Sequence, residues 1–248
     1  MSTLLLALAA GAVVGLALGT LGGGGSVLAV PVLIHLLGFT PVAATTASLL
    51  IVTATSATAL VAHAREGNVR WRRGSLFAAA GILPAMLTAV LADRVPDAVL
   101  TGAFAVVALV SALRMLLPRS TADGGREVRA APAAAAGAGL GAVTGFLGVG
   151  GGFLAVPALV GVLGLRMRLA VGTSLLVITI NSLAALAART GTADGLDWSV
   201  VAPFAGAAVL AAWDGKRLGA RVSAGLLQRV FAVVLLMVAL YMLVDAVG

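Results

Sequence analysis

The 248-residue chain has no cysteine, one lysine, two histidines and nine acidic residues. Without cysteine there is no disulfide, no thiolate metal site and no thiol nucleophile, and the redox state of the compartment leaves no trace. Enzyme signatures are missing as well. There is no G-x-S-x-G elbow and no H-E-x-x-H, and Lys216 stands outside any G-x-x-x-x-G-K-[ST] phosphate loop. A hydrolase built on Ser26 or Ser48 would need a base beside it, with only two histidines to draw on. The sequence calls for neither a metal nor a cofactor. Charge is scarce too: 10% of residues are charged, against roughly 25% in soluble domains.

Apolar residues fill the space. They make up 61% of the chain, and the mean hydropathy is +1.14, which places the chain in lipid. A net charge of +7 suggests nucleic acid at first sight. The cations, however, fall in loops between apolar runs, where they set orientation in a membrane. No nucleic-acid partner is implied. Five apolar segments are expected in each half, at 3–21, 26–38, 42–64, 74–92 and 98–117, then at 132–147, 152–164, 168–188, 199–219 and 225–246. The first is read as a retained helix rather than a signal peptide, because it lacks a basic leader and its glycines recur inside the chain. A polar stretch at 118–131 reads as a cytoplasmic linker between a first transmembrane repeat, 1–117, and a second, 132–248.

The halves are copies. Leu21-Gly22-Gly23-Gly24-Gly25-Ser26-Val27-Leu28-Ala29-Val30-Pro31 returns as Leu147-Gly148-Val149-Gly150-Gly151-Gly152-Phe153-Leu154-Ala155-Val156-Pro157, 126 residues later. The register carries Gly11, Gly15 and Gly19 onto Gly137, Gly141 and Gly145, Gly38 onto Gly164, Ser48 onto Ser174 and Ser56 onto Ser182. Interrupted hydrophobic segments at corresponding places in two halves point to a transporter and its binding site.

Charge parity sets the topology. If the first two segments of each half both cross or both re-enter, 14 of the 16 cations collect on one side. Arg94 and Arg189 remain on the other with Asp93, Asp97, Asp194, Asp197 and Asp245. If each short segment merely continues its predecessor, the cations divide 9 to 7. The first arrangement obeys the positive-inside rule. The expected fold is therefore an all-α polytopic membrane protein of two inverted repeats, about five hydrophobic segments each, with both termini outside the cytoplasm. The short second helix of each repeat spans or re-enters. Single cysteines placed at Ser120 and Ala193 should label from opposite faces, with 120 cytoplasmic; labelling from one face would end the inverted arrangement.

Four successive glycines cost a helix about 1 kcal/mol each relative to alanine, so Gly22, Gly23, Gly24 and Gly25 break it. The backbone N–H groups freed at such a break are tolerated in a membrane only where they are buried in protein or line a water-filled cavity. Helices restarting at Ser26 and Gly152 would aim N–H groups and a positive dipole end at that cavity, an environment that favours an anion. The expected anion-lining residues are thus Gly22 to Gly25, Ser26, Gly148, Gly150, Gly151 and Gly152. The Gly11-x-x-x-Gly15-x-x-x-Gly19 series and its copy are expected to pack helices instead.

The pattern G-x-G-G-G-x-L-x-x-P-x-L, met fully at Gly148 to Leu159 and with Ser26 in place of a glycine in the first copy, resembles the TauE/SafE sulfite exporter family. The resemblance covers essentially the whole chain. It implies transport of small sulfur-containing or carboxylated anions such as sulfite, sulfoacetate or other organosulfonates across the cytoplasmic membrane. Hydroxyls and an amide suit such oxygens. Ser48, Thr55 and Ser56 share a stripe of the third segment, and Ser174, Asn181 and Ser182 are their counterparts. Bonding to their own helix, or gluing helices together, is the alternative role for these side chains. His35, in a short helix, and Asp214, near the end of an apolar segment, are the candidates for a coupled proton. A secondary transporter and an anion channel of the same architecture both fit. Oligomeric state is not legible.

Overall fold

The computed structural model describes residues 2–21, 26–92, 94–116, 130–148, 152–189 and 196–219, together with scattered helical positions between 226 and 241. The described residues are helical and connected by turns. In order they form α1 (Ser2–Leu21), α2 (Ala29–His35), α3 (Pro41–Ala64), α4 (Trp71–Ala92) and α5 (Asp97–Leu116), then α6 (Ala130–Leu147), α7 (Gly152–Gly161), α8 (Met167–Ala188) and α9 (Trp198–Gly219). Residues 118–129 of the linker, and Gly22 to Gly25, Gly150 and Gly151, lie outside the described set. Helix α6 begins at Ala130, so the last two residues assigned to the linker are helical.

Among the described residues, four helices are long and apolar enough to cross a membrane, by length and composition: Thr3–Thr20, Pro41–Ala64, Trp71–Ala92 and Arg168–Ala188. The chain is a polytopic α-helical membrane protein. The second helix of each half is far shorter, with 7 residues in α2 and 10 in α7. At 1.5 Å per residue neither reaches across a roughly 30 Å hydrocarbon core.

Both short helices stop earlier than the apolar runs that contain them, because a glycine caps each. Gly38 and Gly164 sit at φ +72° and +61°. Phe39 N–H reaches back to the Leu33 carbonyl at 3.0 Å, and Leu165 N–H to that of Leu159 at 3.2 Å, so the left-handed glycine folds the chain back onto the last turn of each helix. The two caps are 126 residues apart. After the first, Thr40 caps α3 by accepting from Ala43 N–H at 3.4 Å, and Pro41 opens the helix, where its missing N–H costs nothing.

Glycine determines how the long helices meet. A side chain at Gly11, Gly15 or Gly19 of α1 would overlap the carbonyl oxygens of Phe204, Ala208 and Ala212 of α9. Gly137, Gly141 and Gly145 of α6 meet Phe77, Gly81 and Ala85 of α4 in the same way. The α9 partners lie 127 positions after the α4 partners, so one contact is made twice. Each joins a first helix of one half to a fourth helix of the other. Backbones approach this closely only where the side chain is absent, which is how membrane helices gain dispersion contact without a hydrophobic drive.

Between these pairs lies α3 against α8. Ser56 meets Thr179 at 2.9 Å, while Arg189, just past α8, reaches Thr45 and Thr46 near the start of α3. Numbers fall on one helix as they rise on the other, so α3 and α8 run antiparallel. The short helices flank this pair at opposite ends. Val30 and Leu33 of α2 join a buried cluster with Ala44, Ala47 and Ile51 of α3, and Ala155 and Leu159 of α7 join one with Ala59 of α3 and Ala170 of α8.

Candidate functional site

The antiparallel α3–α8 seam carries the polar residues that the sequence singled out. Ser48, Thr55, Ser56, Ser174, Asn181 and Ser182 are all fully buried. Their hydrogen bonds divide them. The Thr55 hydroxyl donates to the Ile51 carbonyl at 2.7 Å and Ser174 to that of Val171 at 2.7 Å, so both are turned into their own helices. Ser56 crosses to Thr179, whose hydroxyl donates to Leu175 at 2.7 Å. Thr55 and Ser56, neighbours on one stripe, are therefore divided between self-bonding and helix bridging.

Three of the six are different. The Ser48 hydroxyl, the Ser182 hydroxyl and both polar atoms of the Asn181 amide are buried without a hydrogen-bond partner. Each such group costs about 1–3 kcal/mol, and native structures leave few without a reason. Asn181 lies in a notch. A Cβ on Gly81 would stand 2.6 Å from its Nδ2 and 3.0 Å from its Oδ1, and 2.8 Å from the Gly137 carbonyl oxygen. The amide thus reaches the α4–α6 crossing through space that Gly81 leaves open.

The glycine breaks are seen at their edges. Ser26 is buried at the head of a short 3₁₀ turn that runs into α2, and Gly152 is buried at the start of α7. Gly148 leaves α6 at φ +66°, and a side chain there would collide with Thr45. This one position requires glycine on two counts, conformation and approach.

The structure brings in a residue that sequence reasoning passed over. By its place after an apolar segment Arg189 reads as a loop cation, yet it is 1% exposed and is the largest fully buried side chain among the described residues. Its Nη1 donates to the Thr45 hydroxyl at 2.7 Å and to that of Thr46 at 3.2 Å, and its Nη2 to the Gly145 carbonyl at 2.9 Å. A signal was available: 126 residues earlier stands His63, also buried at the end of its helix. Of the two coupling candidates, His35 packs edge-on against Tyr241, with ring centroids 4.9 Å apart. Asp214 lies exposed near the end of α9.

Sequence comparison decides the lineage. The profile described as sulfite exporter TauE/SafE matches residues 7–242. The chain belongs to the TauE/SafE sulfite exporter family. A "probable membrane transporter protein" of Xylella fastidiosa strain 9a5c is 35% identical over 250 aligned positions, covering 97% of this chain and 95% of that protein. Its namesake in strain Temecula1 is 34% identical over 249, with the same coverage. No solved structure matches. TauE/SafE proteins form a family of membrane transporters rather than an enzyme class.

Proposed function

We propose that this protein is a secondary transporter that moves a small anion (sulfite, sulfoacetate or another organosulfonate) across the cytoplasmic membrane, through a site between two inverted repeats and coupled to a proton or ion gradient. The observation that carries this reading is the set of buried, unpartnered donors at Ser48, Asn181 and Ser182 in the α3–α8 seam. Neutral hydroxyls and an amide can hold sulfonate oxygens without binding them too tightly to release. The antiparallel crossing supports inversion. Helices in equivalent places of two halves run antiparallel when each half makes an odd number of crossings, and parallel when each short segment only extends its predecessor. Both termini are then extracytoplasmic, and the glycine breaks enter from opposite faces.

A thermal-shift panel on the purified protein tests the substrate class. A ligand stabilises by RT ln(1 + [L]/Kd), so sulfite, sulfoacetate or taurine should raise the melting temperature selectively over sulfate, thiosulfate and simple carboxylates. Reconstituted flux should saturate and follow an imposed gradient. Unsaturable conductance would assign a channel, and no flux at all would refute transport.

A further inference from the structure

We propose that Arg189 is the charge-selecting residue of the transport path, binding the oxyanion substrate through its guanidinium; this rests on the anion-transport reading above. Arg189 stands where α3, α6 and α8 converge. Its three described hydrogen bonds tie the end of α8 to Thr45 and Thr46 near the start of α3 and to Gly145 in the last turn of α6. Three residues beyond Gly145, Gly148 turns left-handed against Thr45 and opens the second glycine break. A buried ionisable group at the end of a membrane-spanning segment is a functional candidate by default.

The bonds that position it can be exchanged. A guanidinium–oxyanion hydrogen bond is about twice as strong as one to a neutral acceptor. A sulfonate, sulfite or carboxylate oxygen therefore displaces the two threonine hydroxyls from Nη1, while the Gly145 carbonyl keeps hold of Nη2. The displaced hydroxyls are not stranded: Thr45 donates to the Val42 carbonyl at 2.8 Å and Thr46 to the same oxygen at 3.1 Å. Exchange leaves neither hydroxyl donor unsatisfied, which is the usual cost of breaking such a contact. Thr45 also lines a narrow cleft with Val30, Ile34, Leu100, Phe104 and Leu147, between α2, α3, α5 and the end of α6. The guanidinium is thus one hydroxyl away from that cleft. His63 occupies the equivalent register in the first half, so at that position the guanidinium has no arginine counterpart at the other end of the seam.

The test compares the full-length wild type with Arg189→Gln and Arg189→Lys, by thermal shift and liposome uptake, using sulfite, sulfoacetate and neutral dimethyl sulfone. Wild type should respond to the anions and not to the sulfone. Arg189→Gln should bind the anions at least tenfold more weakly. Arg189→Lys, which keeps the charge but loses the planar fork, should fall between. Equal anion shifts in wild type and Arg189→Gln would overturn the proposal and leave the anion reading intact; no shift in the wild type would remove that reading and the proposal with it. Should Arg189→Gln fail to fold, phenylglyoxal modification of the wild type, mapped by peptide mass spectrometry, decides. Modification of Arg189 suppressed by sulfoacetate, which does not react with phenylglyoxal, supports the proposal, and modification that is absent or indifferent to sulfoacetate overturns it.

Discussion

Gly141→Ala should cost the protein at least about 3 kcal/mol, at the upper end of what overpacking does, and lower its melting temperature by roughly 6 °C or more. The added methyl has nowhere to go. It meets the carbonyl oxygen, Cα and carbonyl carbon of Gly81, and backbone on a packed helix cannot rotate aside as the tip of a side chain can. Relief requires α6 to move off α4, which would loosen the contacts at Gly137 and Gly145 and the Thr88 hydroxyl bond to the Ala142 carbonyl at 2.8 Å. Gly139→Ala is the control. It lies on the same helix with nothing within 4 Å of its added carbon, so it should melt at or above the wild-type temperature, since alanine is the better helix former by about 1 kcal/mol. Size-exclusion profiles and melting curves in one detergent separate the two variants. A Gly141→Ala protein as stable as wild type would mean that the α4–α6 crossing is not closed by glycine.

Asn181→Leu should separate stability from function. Its amide is fully buried, with neither polar atom partnered. Were it a packing residue, a leucine of similar size would remove two groups costing about 1–3 kcal/mol each. The melting temperature should hold or rise. Gradient-driven uptake, by contrast, should fall at least tenfold, equivalent to about 1.4 kcal/mol of lost substrate interaction. Wild-type uptake by Asn181→Leu would exclude the amide from the path. Lower stability with proportionate loss of uptake would make Asn181 structural.

Much of the helical layout was legible because the chain states it twice. Once Pro31 and Pro157 fix a register, a weak boundary in one half can be checked in the other, and α1, α3, α5 and α8 fall within a residue or so of their expected limits. The short helices run past their true ends in such a reading, since Gly38 and Gly164 sit in apolar runs and betray their left-handed φ only in the backbone. The glycine ladder at Gly11, Gly15 and Gly19 announces close packing but not its partner. That the glycine face of α1 meets α9, and not a helix of its own half, follows from three-dimensional closure. The polar site was legible as a set of residues and illegible as a network. Thr55 and Ser56 are neighbours of similar chemistry, yet one bonds its own helix and the other crosses to α8. Arg189 is the sharpest case: in sequence it is the first charge after an apolar segment. Its burial depends on Thr45 and Thr46, 144 and 143 residues away.

The crossed pairing of α1 with α9 and of α6 with α4 makes the two halves mutually dependent. Each half carries a glycine-faced helix whose mate belongs to the other, so neither can close its own surface. A single unduplicated half would have to find a second copy of itself to do so, which makes the fused chain a dimer whose interface has become intramolecular. Cutting the peptide between 118 and 129 would break the covalent thread while leaving both interlocks in place.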